Sequence, residues 1–318
     1  MPDKPATAPP SPSRRIRKPT TRKDSPRTVA LHIVDDMQTM QLPFFALQEG
    51  NMDTLLFYDS RQRLTKIMPS ALGRPTVRDK DLLLYVYTLL RDALSRGETP
   101  TPTIPIQVRE FLLWAEREPS GAAYKHIASM LVRLQYSPIS TEIPTGGLIE
   151  EHFFSFLSDV LIQRDMDDAA IPLDLSGDQQ YVAPAFFTAN KASKVRTITV
   201  TLSPWCFRML LAHETLAIAP AYLGLRSPLE RRLFELSAKH VGNQPEWRCS
   251  LDKLRTKTGY GSEIRFFRRD LKAIIKKGPL GGLYTLSFAS PTLVVVKKAT
   301  EQPSKPLKPL LPDSKATR

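Results

Sequence analysis

Residues 262–277 constrain the fold more than any other stretch. Ile264, Phe267, Leu271 and Ile274 recur at intervals of three, four and three, which lines one side of an α-helix with apolar side chains. At about 100° per residue, Arg265, Arg269, Lys272 and Lys276 fall on the opposite side. Arg268 flanks them, and Ser262 stands near the N-terminal end as the expected cap. A helix so divided needs a packing partner for its stripe, and the preceding residues supply one. Ser227-Pro228 opens a helix, with proline at the first helical position, where its missing N–H costs nothing. Leu229, Leu233 and Leu236 keep helical spacing to about Val241-Gly242. After a loop holding Trp247, Ser250 caps a short helix over Leu251–Thr258, and Gly259-Tyr260-Gly261 turns sharply into the amphipathic segment. Two helices joined through a glycine turn form a helix-turn-helix. Gly281-Gly282 then turns the chain into Leu283–Phe288 and Leu293–Val296, two β-prone runs that read as a hairpin wing. Lys297 and Lys298 either meet a neighbouring phosphate backbone or begin the tail.

Charge is distributed to match. The 318 residues carry a formal net charge of +13, a balance that favours a polyanionic partner. Residues 224–298 hold 16 Lys/Arg against 6 Asp/Glu, whereas residues 30–223 hold 17 against 22. The electrostatic footprint for nucleic acid is therefore expected in the last third. Residues 1–29 and 299–318 are rich in proline and polar residues, too poor in apolar surface to fold alone, and are expected to be disordered basic tails. The N-terminal arm, with Arg14, Arg15, Arg17 and Lys18, either touches phosphates non-specifically or simply solubilises the chain. Pro220, Gly224 and Pro228 mark a boundary between a first domain at 30–223 and a second at 224–298.

The first half repeats the order of the second. Leu55–Asp59 and Leu64–Met68 read as strands. Thr76 and Asp79 have capping-box spacing before a helix that runs through Arg96. Val108–Glu116 and a helix opened by Ser120-Gly121 follow, the latter with Tyr124, Ile127, Leu131 and Leu134 inward. Ile139–Ile143 and Phe153–Ile162 read as wing strands, and Thr197–Leu202 as a further strand. The outer side of the third helix is expected to carry Lys125, His126, Ser129 and Arg133. So few charges on an acidic half leave two uses open: weak backbone contact with DNA, or self-association.

Several chemistries find no support in the sequence. There is no phosphate-binding G-x-x-x-x-G-K-[ST] loop. The five histidines are scattered and the two cysteines, Cys206 and Cys249, fit no metal or redox spacing, so neither metal nor cofactor is expected. Asp165, Asp167 and Asp168 read as an exposed loop rather than a nuclease centre. No run approaches the length of a membrane span and no apolar leader stands at the N-terminus, so a cytoplasmic protein without membrane contact is expected.

Three stretches together resemble the replication initiator protein A family of plasmids. They are Leu42-Pro43-Phe44-Phe45; Pro69-Ser70-Ala71-Leu72-Gly73-Arg74-Pro75-Thr76 with Asp79-Lys80-Asp81; and Pro228-Leu229-Glu230-Arg231-Arg232-Leu233-Phe234-Glu235-Leu236 with Lys239-His240, Trp247 and Lys257-Thr258-Gly259. The resemblance implies an α+β protein of two winged-helix domains in tandem. It implies a bacterial, plasmid-associated initiator that binds repeated double-stranded sites at an origin. Such a protein helps open adjacent A·T-rich DNA and recruits the host initiator and replicative helicase, and it is a possible homodimer. A transcriptional repressor of the same fold, including one acting on its own gene, is the alternative; a metal-dependent nicking enzyme or an interaction scaffold are more distant ones. No catalytic residue is assigned. The expected DNA-binding residues are Lys257, Thr258, Ser262, Arg265, Arg268, Arg269, Lys272 and Lys276, with Lys125 and Arg133 in the first half. Arg265 and Arg269 are expected to read bases, and Lys272 and Lys276 to meet phosphates.

Overall fold

The computed structural model describes residues 33–59, 61–148, 153–164 and 195–300. The tail at 1–29, nearly all of the tail at 299–318, and the acidic stretch at 165–168 lie outside them. In chain order the elements are β1 (Ile33–Asp36), α1 (Met37–Gln41), β2 (Leu55–Tyr58), β3 (Leu64–Ile67), α2 (Lys80–Ser95), β4 (Thr103–Ile106), α3 (Val108–Trp114) and α4 (Gly121–Tyr136). They continue with β5 (Ile139–Thr141), β6 (Phe153–Phe154), β7 (Leu157–Arg164), β8 (Val195–Leu202), α5 (Pro204–Leu211) and β9 (Thr215–Ile218). The last third holds α6 (Pro228–Val241), β10 (Glu246–Ser250), α7 (Leu251–Thr258), α8 (Ile264–Lys277), β11 (Tyr284–Ser290) and β12 (Leu293–Lys298). The strands form four small antiparallel sheets, ordered β1-β9, β2-β3-β5-β6, β4-β8-β7 and β10-β12-β11.

Helix α2 is the centre of the first half. Leu82 through Tyr87 are each at most 3% exposed, so the helix is enclosed on all sides rather than along one stripe. Its start has the reciprocal bonding expected of a capping box: the Thr76 amide donates to Asp79 Oδ2 at 2.7 Å and the Asp79 amide to Thr76 Oγ1 at 3.3 Å. The preceding turn requires Gly73. Its φ is +88°, and a Cβ there would meet the backbone nitrogen of Asn51 at 2.9 Å. Ser70 closes the same turn, its hydroxyl donating to the Gly73 carbonyl at 2.8 Å. The Leu42–Phe45 segment anchors the core: Phe45 stacks on Phe156 at 4.9 Å, and Phe44 lies 6.2 Å from both Phe156 and Trp205.

Helix α6 joins the last third to this core. The buried apolar side chains form one continuous cluster through both halves. Buried charges cross the same seam. Lys80 Nζ, fully enclosed, lies 2.9 Å from Asp35 Oδ2 and 3.2 Å from Glu235 Oε2. Arg232 pairs with Glu235 and donates to the carbonyls of Thr39 (2.9 Å), Leu42 (3.2 Å) and Lys257 (2.9 Å). Arg231 and Arg117 share Asp81. Tyr222 donates to Glu235 Oε1 at 2.7 Å. Burial opposes ionisation of Glu235, yet Lys80 and Arg232 hold its carboxyl below the usual range.

Three expectations need correction. Phe153–Ile162 is not one wing strand: the chain breaks after Phe154, so that β6 pairs with β5 while β7 joins β8 in another sheet. The Trp247 stretch, expected as a loop, is strand β10, paired along β12 with Trp247 opposite Val296. Ile264 is 37% exposed rather than packed in the core stripe.

Candidate nucleic-acid interface

Helix α8 lies against the body by its apolar side, and Lys277 in its last turn pairs with Glu230 of α6 at 2.6 Å. Phe267 and Leu271 are fully buried and Ile274 is 6% exposed; burying three such side chains contributes about 1.5–3 kcal/mol each. The turn before it is fixed at both ends. Gly259 takes the left-handed conformation (φ +72°, ψ +23°) that ends α7, a conformation glycine adopts without steric cost. Tyr260 packs edge-on against Phe267 at 5.2 Å and donates its hydroxyl to Asp270 Oδ2 at 2.5 Å. Arg255 of α7 donates to the Ser262 carbonyl at 3.0 Å. Ser250 caps α7 as expected, its hydroxyl accepting from the Lys253 amide at 3.3 Å. The α8 start differs: Glu263, not Ser262, is the cap residue, and no side-chain bond closes it. Lys276 and Lys277 in the last turn complement the negative end of the helix dipole.

The outward face is cationic. Arg265 and Arg269 side chains are each 69% exposed. Phe266 stands between them, with the Arg265 guanidinium 4.7 Å and the Arg269 guanidinium 5.4 Å from its ring centroid. Each arginine also rests on a neighbouring acid, Arg265 on Glu263 at 3.1 Å and Arg269 on Asp270 at 2.8 Å. Hydrogen bonds from Tyr260 and Arg269 hold the Asp270 carboxyl below its usual value. Exposed pairs of this kind are worth at most about 1 kcal/mol, so an incoming acceptor can displace the acid. Lys272 and Lys276 are exposed, and among the described residues neither has an ion-pair partner within 4 Å. Arg268 is only partly exposed, and its Nε is buried without a hydrogen-bond partner.

Other expected residues fall elsewhere. Lys257 is half-buried; burial lowers its ammonium from the usual lysine value, and Arg232 and Lys253 add to the effect. Thr258 is fully buried and spends its hydroxyl on the Arg255 carbonyl at 2.7 Å, so its side chain is removed from any surface. Arg133 is corrected likewise. It is 3% exposed and clamps Asp79 bidentately, Nε to Oδ2 at 2.7 Å and Nη2 to Oδ1 at 2.8 Å. The carboxylate that begins α2 draws this guanidinium inward. Lys125 is exposed on α4, well separated in sequence and element from the α8 face. Phe266, Tyr260 and Arg255 were not anticipated. The aromatic beside paired arginines was the available signal for the first; the other two act through partners that spacing alone does not reveal.

The model of the family described as "Replication initiator protein A" matches residues 34–177 and 174–286. The chain belongs to this family. A family member's role is that of a replication initiator. A protein of Wigglesworthia glossinidia brevipalpis, named as a candidate replication protein, is 25% identical over 249 residues, covering 77% of this chain and 82% of that one. Among solved structures, domains 2 and 3 of RctB superpose with TM-scores of 0.56 and 0.52 in two crystal structures. At 15% and 14% identity the two cover 83% and 82% of this chain and 96% of each of those chains. That likeness concerns the mixed α/β fold alone. Among the described residues no helix is long and apolar enough to cross a membrane.

Proposed function

We propose that this family member initiates plasmid replication by reading repeated double-stranded sites with α8, and that it does so through two winged-helix units in tandem. The observation that carries the reading is α8 itself. One side is pinned by Phe267, Leu271 and Ile274, and the other offers Arg265, Arg269, Lys272 and Lys276 to solvent. A rigid helix of this kind fits the major groove, where arginine reads guanine O6 and N7 and lysine neutralises phosphate. Strands β11 and β12 serve as the wing of the second unit. In the first unit α3, α4 and the β5–β6 hairpin take the same places, but Lys125 is the one exposed lysine or arginine of α4, so its contact is with backbone or with a second copy of the chain. Membership of an initiator family supports origin opening and recruitment of the host initiator and helicase as the steps that follow binding. The chain acts by binding and remodelling DNA, not by cleaving it, and it works in the bacterial cytoplasm.

Fluorescence anisotropy tests this directly, with a duplex from the region flanking the gene and a random duplex of equal length. With four to six phosphates neutralised, log Kd against log salt should have a slope of magnitude about 4–5. The flanking duplex should bind at least about 1,000-fold tighter than the random one. Equal affinity for both, with a slope near zero, would overturn the reading.

A further inference from the structure

A cleft of about 280 Å³ lies between α8 and the tip of the β11–β12 hairpin, lined by Arg268, Lys272, Phe288, Ser290 and Pro291. Its walls are fixed. The register of β11 on β12 shifts between Phe288 and Ser290, a bulge that re-aims the strand end. The Thr292 amide donates to Ser290 Oγ at 3.3 Å, and the Thr292 carbonyl accepts from the Leu251 amide at 2.8 Å, which ties the hairpin tip to the start of α7. Arg268 and Lys272 are one helical turn apart on the wall opposite.

The cations of this cleft, like Lys276 beyond it, differ from the acid-paired cations of α8. Arg265, Arg269 and Lys277 each have a carboxylate within 3.1 Å. Among the described residues Arg268 and Lys272 have none within 4 Å, and Arg268 Nε is buried with no acceptor at all. The wall adds the Ser290 hydroxyl as a further donor. Two cations without a carboxylate partner and a hydroxyl around one small space suit a tetrahedral anion bearing several oxygens.

We infer that this cleft is a phosphate clamp: it holds one backbone phosphate of the bound duplex between α8 and the hairpin tip. The inference rests on the DNA-reading role proposed above and assigns Arg268 to backbone, separate from base reading by Arg265 and Arg269. A contact with backbone adds affinity on any sequence, and base discrimination stays with Arg265 and Arg269.

The test uses the full chain and the two duplexes already described, with Arg268→Ala and Arg268→Lys compared across a salt series. Arg268→Ala should reduce the magnitude of the salt slope by about 0.9, the contribution of one phosphate. It should weaken both duplexes by the same factor and leave their affinity ratio unchanged. Arg268→Lys should keep the slope, and matching thermal melts verify that both variants fold. An unchanged slope with Arg268→Ala, or a collapse of the affinity ratio, would overturn the clamp. A wild-type chain that shows no salt-dependent affinity for either duplex would instead overturn the DNA-reading role on which the clamp depends.

Discussion

Lys80→Met is expected to destabilise the folded chain by about 3–5 kcal/mol, the cost of leaving a buried charge without its partner. The ammonium lies between Asp35 and Glu235 with no solvent exposure. Its removal leaves Asp35 and Glu235 without their shared cation, and Arg232, which pairs with Glu235, is already committed to three backbone carbonyls. Methionine matches the lysine stem in length, so the loss reports charge rather than a cavity. Urea denaturation measures it as a fall in midpoint at constant m. A loss below about 1 kcal/mol, the worth of an exposed pair, would mean that this network does not hold α6 to the first half. The pH dependence has two opposed parts: Asp35, whose carboxyl burial pushes up to about 8, costs stability as pH rises towards that value, and Glu235 acts in the other direction. Glu235 has a lowered carboxyl in the fold, so its contribution is present above the unfolded value of 4.5 and disappears as pH falls through the folded one.

Arg269→Ala is expected to cost about 1–3 kcal/mol in binding to the preferred duplex, the worth of a bidentate contact with guanine. Affinity for a random duplex should fall far less, so the loss appears in the ratio of the two. Arg265→Ala should behave alike. The double variant should lose less than the sum, because both guanidinium groups rest on the Phe266 ring and each helps position the other. Competition titrations of the four proteins give the coupling. Equal losses on preferred and random duplexes would reassign both arginines to the backbone. Arg268→Ala provides the internal contrast, since a clamp residue lowers affinity without altering the ratio.

The recognition module was the most legible part of the sequence because its signals are local. Ser250, Gly259 and Pro228 act within a few residues of their own position, and they set the ends of α6 and α7 as expected. The stripe of α8 failed only at Ile264, at the helix end, where no facing element covers it. Long-range pairing was harder to read. The sequence Glu246–Ser250 is polar and short, and it becomes a strand only because β12 lies beside it. Arg133, Arg231 and Arg232 look like surface cations by residue type. Each is buried by a carboxylate or carbonyl that the fold brings from elsewhere: Asp79 for Arg133, Asp81 for Arg231, Thr39 and Leu42 for Arg232. The Pro228–Leu236 segment therefore does two jobs that periodicity alone cannot separate. Its leucines fill the core, while its arginines lock the two halves together.

The central claim is that this initiator reads repeated sites through α8, and footprinting on the few hundred base pairs flanking its own gene tests it most directly. At physiological salt, the wild-type protein is predicted to protect several direct repeats spaced near multiples of one helical turn, about 10.5 bp, and Arg269→Ala should lose that protection. A lone inverted site would point to a repressor, and the absence of protection on any segment would contradict the account.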